Sequence, residues 1–126
     1  MTPKTANPPL PQSMAAELER IRLEASEENW NGGGEAPVTN GILSEAKRFV
    51  SLFPSTLEPP DISADADGEI EFEWFVEPRK VFSVSVGESG KLTFAGLFGE
   101  SVHHGVEFMG AEIPATILQL IRRTHE

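Results

Sequence analysis

The chain has 126 residues, 20 acidic against 10 basic, a formal net charge of −10, no cysteine and 39% apolar residues. That length suits one domain with enough chain to bury a core. The missing cysteine excludes a disulfide scaffold, a thiolate zinc site, a cysteine nucleophile and an iron–sulfur centre. The acidic balance argues against nucleic acid or a membrane as a partner, because both need phosphates neutralised.

Residues 1–13 carry Pro3, Pro8, Pro9 and Pro11, with Leu10 as the one large apolar side chain after Met1. Such a stretch cannot offset its ordering entropy and reads as a disordered tail; a docking peptide in polyproline II form is the alternative. No apolar stretch follows Lys4 as in a secretory signal, and no run reaches the ~20 residues that span a bilayer. The expected location is therefore the cytoplasm, and the expected domain covers residues 14–126.

Ser13 is a candidate N-cap for a helix over about residues 14–28, with Leu18, Ile21 and Ala25 at helical spacing. Asn29-Trp30-Asn31-Gly32-Gly33-Gly34 ends it and supplies positions for positive φ. Trp30 is expected to pack this Gly-rich loop onto the domain, with its indole N–H available to cap carbonyls left free at that helix end. Thr39 or Asn40 caps a second helix through Phe53, where Ile42, Ala46, Phe49, Val50 and Phe53 make one stripe and Pro54 stops the chain.

From Pro60 the period changes from 3.6 to 2. Ile62 and Ala64 suggest a short strand, Asp67-Gly68 a hairpin, and Glu69 to Trp74 a strictly alternating second strand. Lys80–Val86, Leu92–Phe98 and Val102–Phe108 follow as strands between turns at 77–79, 87–90 and 99–100. Pro114 opens a last helix carrying Ile117, Leu118, Leu120 and Ile121. The order α-α-β-β-β-β-β-α predicts an α+β, two-layer domain: an antiparallel five-stranded meander with two N-terminal helices and one C-terminal helix.

Few residues form a catalytic pattern. If Gly68 held the glycine of a calcium loop, its last ligand would fall on Trp74, where a glutamate is required. His103 and His104 are adjacent on a strand and point to opposite faces, so they cannot chelate one ion, and both read as packing residues. Ser83 and Ser85 lie in plain strand alternation, and Gly32-Gly33-Gly34 follows a helix without the lysine of a phosphate cradle. No metal, cofactor or catalytic residue is expected.

The acidic pattern is the stronger feature. Seven acidic and no basic residues occupy positions 61–77. Glu69, Glu71 and Glu73 share one strand face at about 6.6 Å intervals. They read either as a solvated sheet face partly paired to Lys80 and Lys91, or as a ladder that meets a basic partner. Phe75 falls on the same face and marks contact with another element or chain.

Glu28-Asn29-Trp30-Asn31-Gly32, the helix ending Phe53-Pro54, Asp67 to Trp74, Phe82 to Val86 and Glu112-Ile113-Pro114 together resemble a group of short uncharacterised bacterial proteins. Their pattern is Trp-Asp-Gly, then Asp-Gly-x-Ile-x-Leu-Glu-Trp, then an Ile-Pro helix. The likeness spans about residues 28–123, with Asn31 in place of Asp and Phe72 in place of Leu. It implies a single domain and transfers no activity.

The expected function is a non-catalytic acidic protein-interaction module binding through Asp67, Glu69, Glu71, Glu73 and Phe75. Its partner would be a basic protein, as for an antitoxin or immunity-type neutraliser, or a second copy in a homodimer. The alternative is a small ligand-binding or hydrolytic domain whose pocket gathers Trp30, Asp67, Glu71 and a histidine.

Overall fold

The computed structural model describes residues 10–126. Its elements in chain order are α1 (Leu10–Glu24), α2 (Asn40–Ser51), β1 (Asp61–Ala64), β2 (Ile70–Glu77), β3 (Lys80–Val86), β4 (Lys91–Phe98), β5 (Ser101–Phe108) and α3 (Ala115–Thr124). A 3₁₀ turn over Glu88–Gly90 joins β3 to β4. The five strands form one antiparallel sheet in the order β1-β2-β3-β4-β5. The expected α+β meander with two helices before it and one after is therefore observed.

Helix boundaries differ from expectation at the first helix. It begins at Leu10, inside the stretch read as a tail, and ends at Glu24. Pro11 is no obstacle there, because a first helical turn has no partner for the missing N–H. Ser13 accordingly lies within the helix and is not its cap; residues 1–9, the rest of the expected tail, lie outside the described residues. On the exposed side, Arg20 pairs with Glu17 at 3.3 Å and Glu24 at 3.1 Å, and Arg22 with Glu19 at 2.6 Å. Such exposed pairs contribute about 0.3–0.5 kcal/mol each. Helix α2 starts as expected: the Thr39 side chain accepts from the Ile42 N–H.

The segment between α1 and α2 closes on itself. Asn29, Gly32 and Gly34 adopt positive φ. The Glu35 carboxylate accepts from the N–H groups of Asn31 (3.1 Å) and Gly33 (3.0 Å). Hydrogen bonds from its own N–H, Gly33 and Asn31 hold that carboxyl below the usual range. The Trp30 indole donates to the Ala36 carbonyl at 2.9 Å, so it ties the loop together and does not cap α1. Gly68, at φ 82°, meets this loop so closely that a Cβ there would lie 2.6 Å from the Pro37 carbonyl oxygen. Glycine is therefore required by both conformation and space.

All three helices pack on one face of the sheet. That face carries Ile70, Phe72 and Trp74 of β2, Phe82, Val84 and Val86 of β3, and Leu92, Phe94 and Phe98 of β4, every one of them buried. Met14, Leu18, Ile21, Ile42, Ala46, Phe49, Ile117 and Ile121 of the helices complete the core. A chain of ring contacts crosses the layers: Phe49 meets Phe72 edge-on at 4.9 Å, Phe53 lies 6.0 Å from Trp74, and Phe82 lies between Trp74 and Phe94. The Trp74 indole N–H finds the Glu58 carbonyl at 2.7 Å, which removes the cost of burying it. None of the described helices is long and apolar enough to cross a membrane.

Phe72 is fully buried and touched by rings from α2. Phe72→Ala is expected to cost about 3–5 kcal/mol in urea unfolding. A loss below about 1 kcal/mol would mean that the helix layer does not enclose this ring.

Candidate functional site: the uncovered sheet face

Strand register determines what lies opposite the helices. On that outer face Asp61, Glu73, Ser83, Ala95 and His104 form one row across the sheet, and Ser63, Glu71, Ser85, Thr93 and Val106 the next. A third row reads Phe75, Val81, Leu97 and Val102. Among the described residues no element packs over these rows. The face is acidic on β1 and most of β2, carries serine, threonine and alanine across β3 and β4, and is apolar along the third row and at Val102, Val106 and Phe108 of β5.

The expected binding residues divide between the acidic and the apolar parts. Glu71 and Glu73 are half-buried on the acidic half, flanked through the register by Ser63 and Ser85 and by Asp61 and Ser83. Neither has a cation within ion-pair distance among the described residues. Glu69 lies just before β2, its carboxylate against Gly87, where a Cβ would come within 2.4 Å. Lys80 does not serve this ladder, because its ammonium reaches the Glu126 carbonyl. Asp67 stands exposed in the turn, donating its N–H to the Asp65 carboxylate at 2.9 Å. Phe75 shares the outer face but joins the apolar row, opposite Val81.

Asp65 organises the hairpin. One carboxylate oxygen accepts from the N–H groups of Asp67 and Glu69, and the other accepts from the Ser85 hydroxyl at 3.3 Å. Its lone pairs are thus engaged in an Asx-type turn. Among the described residues no group of three histidine or acidic side chains could hold a metal ion.

The histidines separate as their adjacency requires. His103 points to the helix side, edge-on to Phe98 with ring centroids 5.6 Å apart. Its Nε2 lies 3.1 Å from an Arg123 guanidinium nitrogen. Arginine has only donors, so Nε2 accepts and the ring proton is on Nδ1. Arg123 also stacks on Phe98 at 4.6 Å. His104 is exposed on the outer face beside Ala95, and the reading of it as a packing residue is corrected.

The residues of the pocket alternative do not converge. Trp30 lines a small cleft with Arg20, Glu24 and Ser63, at the β1 end of the molecule. His104 lies three strand spacings from Glu73, about 14 Å. No described cleft joins a histidine to two carboxylates.

The residues missed in the sequence are Val102, Val106 and Phe108, exposed by 69%, 49% and 64%. A two-residue turn pairs Phe98 with Ser101, so each inward-facing even-numbered residue of β4 faces an odd-numbered residue of β5. Val102, Val106 and Phe108 therefore point outward. Val102 joins Phe75, Val81 and Leu97 around a shallow depression lined by Val81, Ala95, Leu97 and Val102, while Val106 and Phe108 lie further along β5, beyond His104.

Burial raises the Glu71 carboxyl above its ordinary range, and the like charges of Glu73 and Asp65 add to this. Burial likewise raises Glu69, with Asp65 and Asp67 adding and Lys91 opposing. A raised folded-state value means that the stability contributed is present below the unfolded value, about pH 4.3, and is lost as pH rises through the folded one. Glu71→Gln is therefore expected to melt above the parent chain at pH 7 and to lose that advantage by about pH 4. Thermal melts at both values check this, and a variant less stable than the parent at pH 7 contradicts it.

Comparison with protein-family models, with curated proteins and with solved structures gives no significant match.

Proposed function

We propose that this chain is a non-catalytic interaction module whose acidic half-face, on β1 and β2, docks a basic protein in the cytoplasm. The observation that carries the reading is that Glu71 and Glu73 are half-buried, crowded by neighbouring acids, and unpaired on a face that no described element covers. Holding like charges together costs free energy, and a cationic surface that neutralises them returns it on binding. Asp61, Asp65, Asp67 and Glu69 extend the same negative field, which steers a basic partner at low ionic strength. An antitoxin or immunity-type neutraliser covering a basic cleft is the concrete form.

The test is capture from the native lysate with the full chain as bait. A specific basic protein is expected at about 50 mM salt and to be released by about 0.5 M, since exposed charge pairs are screened within about 10 Å at 0.1 M. Glu71→Gln/Glu73→Gln is expected to weaken the purified complex at least tenfold, chiefly through slower association. Capture of no specific basic protein, or a complex indifferent to both salt and the double substitution, contradicts the reading.

A further inference from the structure

The two edges of the sheet are built differently. β1 is four residues long, follows Pro59-Pro60 and begins with Asp61. Its edge-facing Ile62 carbonyl already accepts from Arg20 of α1 at 3.5 Å. Shortness, proline and charge are the usual devices that keep an edge from pairing. β5 is neither short nor interrupted by proline: it is eight residues, SVHHGVEF, without lysine and with Glu107 as its one acidic side chain. The Met109 N–H bonds to the Gly90 carbonyl at 2.9 Å. By alternation, residues 101, 103, 105 and 107 also turn their backbone groups toward β4, and residues 102, 104, 106 and 108 turn theirs to the open edge.

We propose that β5 pairs antiparallel with β5 of a second copy, about a two-fold axis at Gly105, to give a continuous ten-stranded sheet. Opposed residues share a face, so position numbers in the two strands must sum to an even value. A sum of 210 places Val102 opposite Phe108 and His104 opposite Val106 on the outer face, and each of these pairs exchanges both backbone hydrogen bonds. On the helix side it places His103 opposite Glu107, twice by symmetry. His103 has Nε2 bound to Arg123 and Nδ1–H available; Glu107 has no ion-pair or hydrogen-bond partner among the described residues. Donor and carboxylate are thus complementary across the edge, with Arg123 adding positive charge behind the donor. Gly105 falls at the axis, where paired backbones approach most closely. It already has no room for a side chain, since a Cβ would lie 2.9 Å from the Phe94 ring. The neighbouring sum of 208 would set His104 against His104 and leave Phe108 beyond the pairing.

Charge separation favours a second copy at this edge despite the net −10. With β5 at the axis, the two β2 strands stand seven strand spacings apart, about 34 Å, well past the screening length of about 8 Å in physiological salt. Pairing through β1 would bring the same acidic strands to about 14 Å. The outer apolar row Phe75, Val81, Leu97 and Val102 would then run on to Phe108 of the second copy, covering the two most exposed apolar side chains of β5 with each other. This interface lies at the opposite side of the sheet from the acidic half-face and does not depend on that half-face binding anything.

Sedimentation equilibrium of the full chain tests it. A dimer is expected at tens of micromolar. Val106→Pro removes an N–H that points to the open edge, which a lone edge strand tolerates. It is expected to yield a monomer with unchanged circular dichroism. Glu107→Lys and His103→Glu are each expected to weaken the dimer by about tenfold, and an equimolar mixture of the two to recover it, because the mixed dimer keeps one His103–Glu107 contact and sets the two substituted, oppositely charged side chains against each other. Glu71→Gln/Glu73→Gln should leave the dimer unchanged, so failure here and failure of the acidic-face reading are distinguishable. A monomer at 100 µM overturns the proposal, as does a dimer that survives Val106→Pro or a mixture that shows no recovery.

Discussion

Strict alternation on β2, β3 and β4 commits every large aromatic side chain of these strands except Phe75 to one face. Phe72, Trp74, Phe82, Phe94 and Phe98 all point the same way, and the rings of Phe49 and Phe53 pack down on them from α2 and its end. Once that face holds the core, all three helices must cover it, because their own apolar stripes have nowhere else to go. The consequence is an opposite face with no helix left to cover it. The features argued to matter for function follow from that one-sided burial.

What the outer face carries is then a matter of register. Turn length sets which parity faces inward: even-numbered residues point to the core on β2, β3 and β4, and the two-residue turn at Gly99-Glu100 reverses this on β5, so a short segment of acidic alternation on β2 becomes a charged half-face and the even-numbered residues of β5 point outward. The two are separated by serine, threonine and alanine on β3 and β4. A sheet that is acidic at one edge and apolar at the other can serve two contacts of different chemistry at once. Burial and the like charges of Glu73 and Asp65 raise the Glu71 carboxyl, so its charge opposes folding at neutral pH.

Much of the architecture was legible in the residues. Thr39 before Ile42, Pro54 after Phe53, Asp67-Gly68 between two alternating runs and Pro114 before Ile117 each signal an element boundary through backbone chemistry that acts locally. Two readings failed where local signals were incomplete. The prolines near Leu10 suggested a tail, yet proline fits a first helical turn and α1 starts there. Trp30 packs its loop onto the core as its aromatic bulk suggests, but its indole N–H meets Ala36 across the turn at Asn29–Gly34 and not a carbonyl of α1. The apolar side of β5 was missed for a different reason: Val102, Val106 and Phe108 look like core positions until the turn at Gly99-Glu100 is counted through to its pairing. The separation of His103 from His104 needed only strand alternation, whereas the Arg123–His103–Phe98 contact needed the return of α3 over the sheet.

The central claim is that one edge and one face of the sheet stay unsatisfied within a single chain and are completed by another molecule. Amide hydrogen exchange resolved along β5 reads this directly. In dilute solution His103, Gly105 and Glu107, bonded to β4, should exchange slowly while Val102, His104, Val106 and Phe108 exchange fast, and raising the concentration should slow the second set selectively. Uniformly slow exchange at every dilution would mean the chain covers its own edge, and uniformly fast exchange at every concentration would mean that β5 does not belong to the sheet; either result contradicts the account.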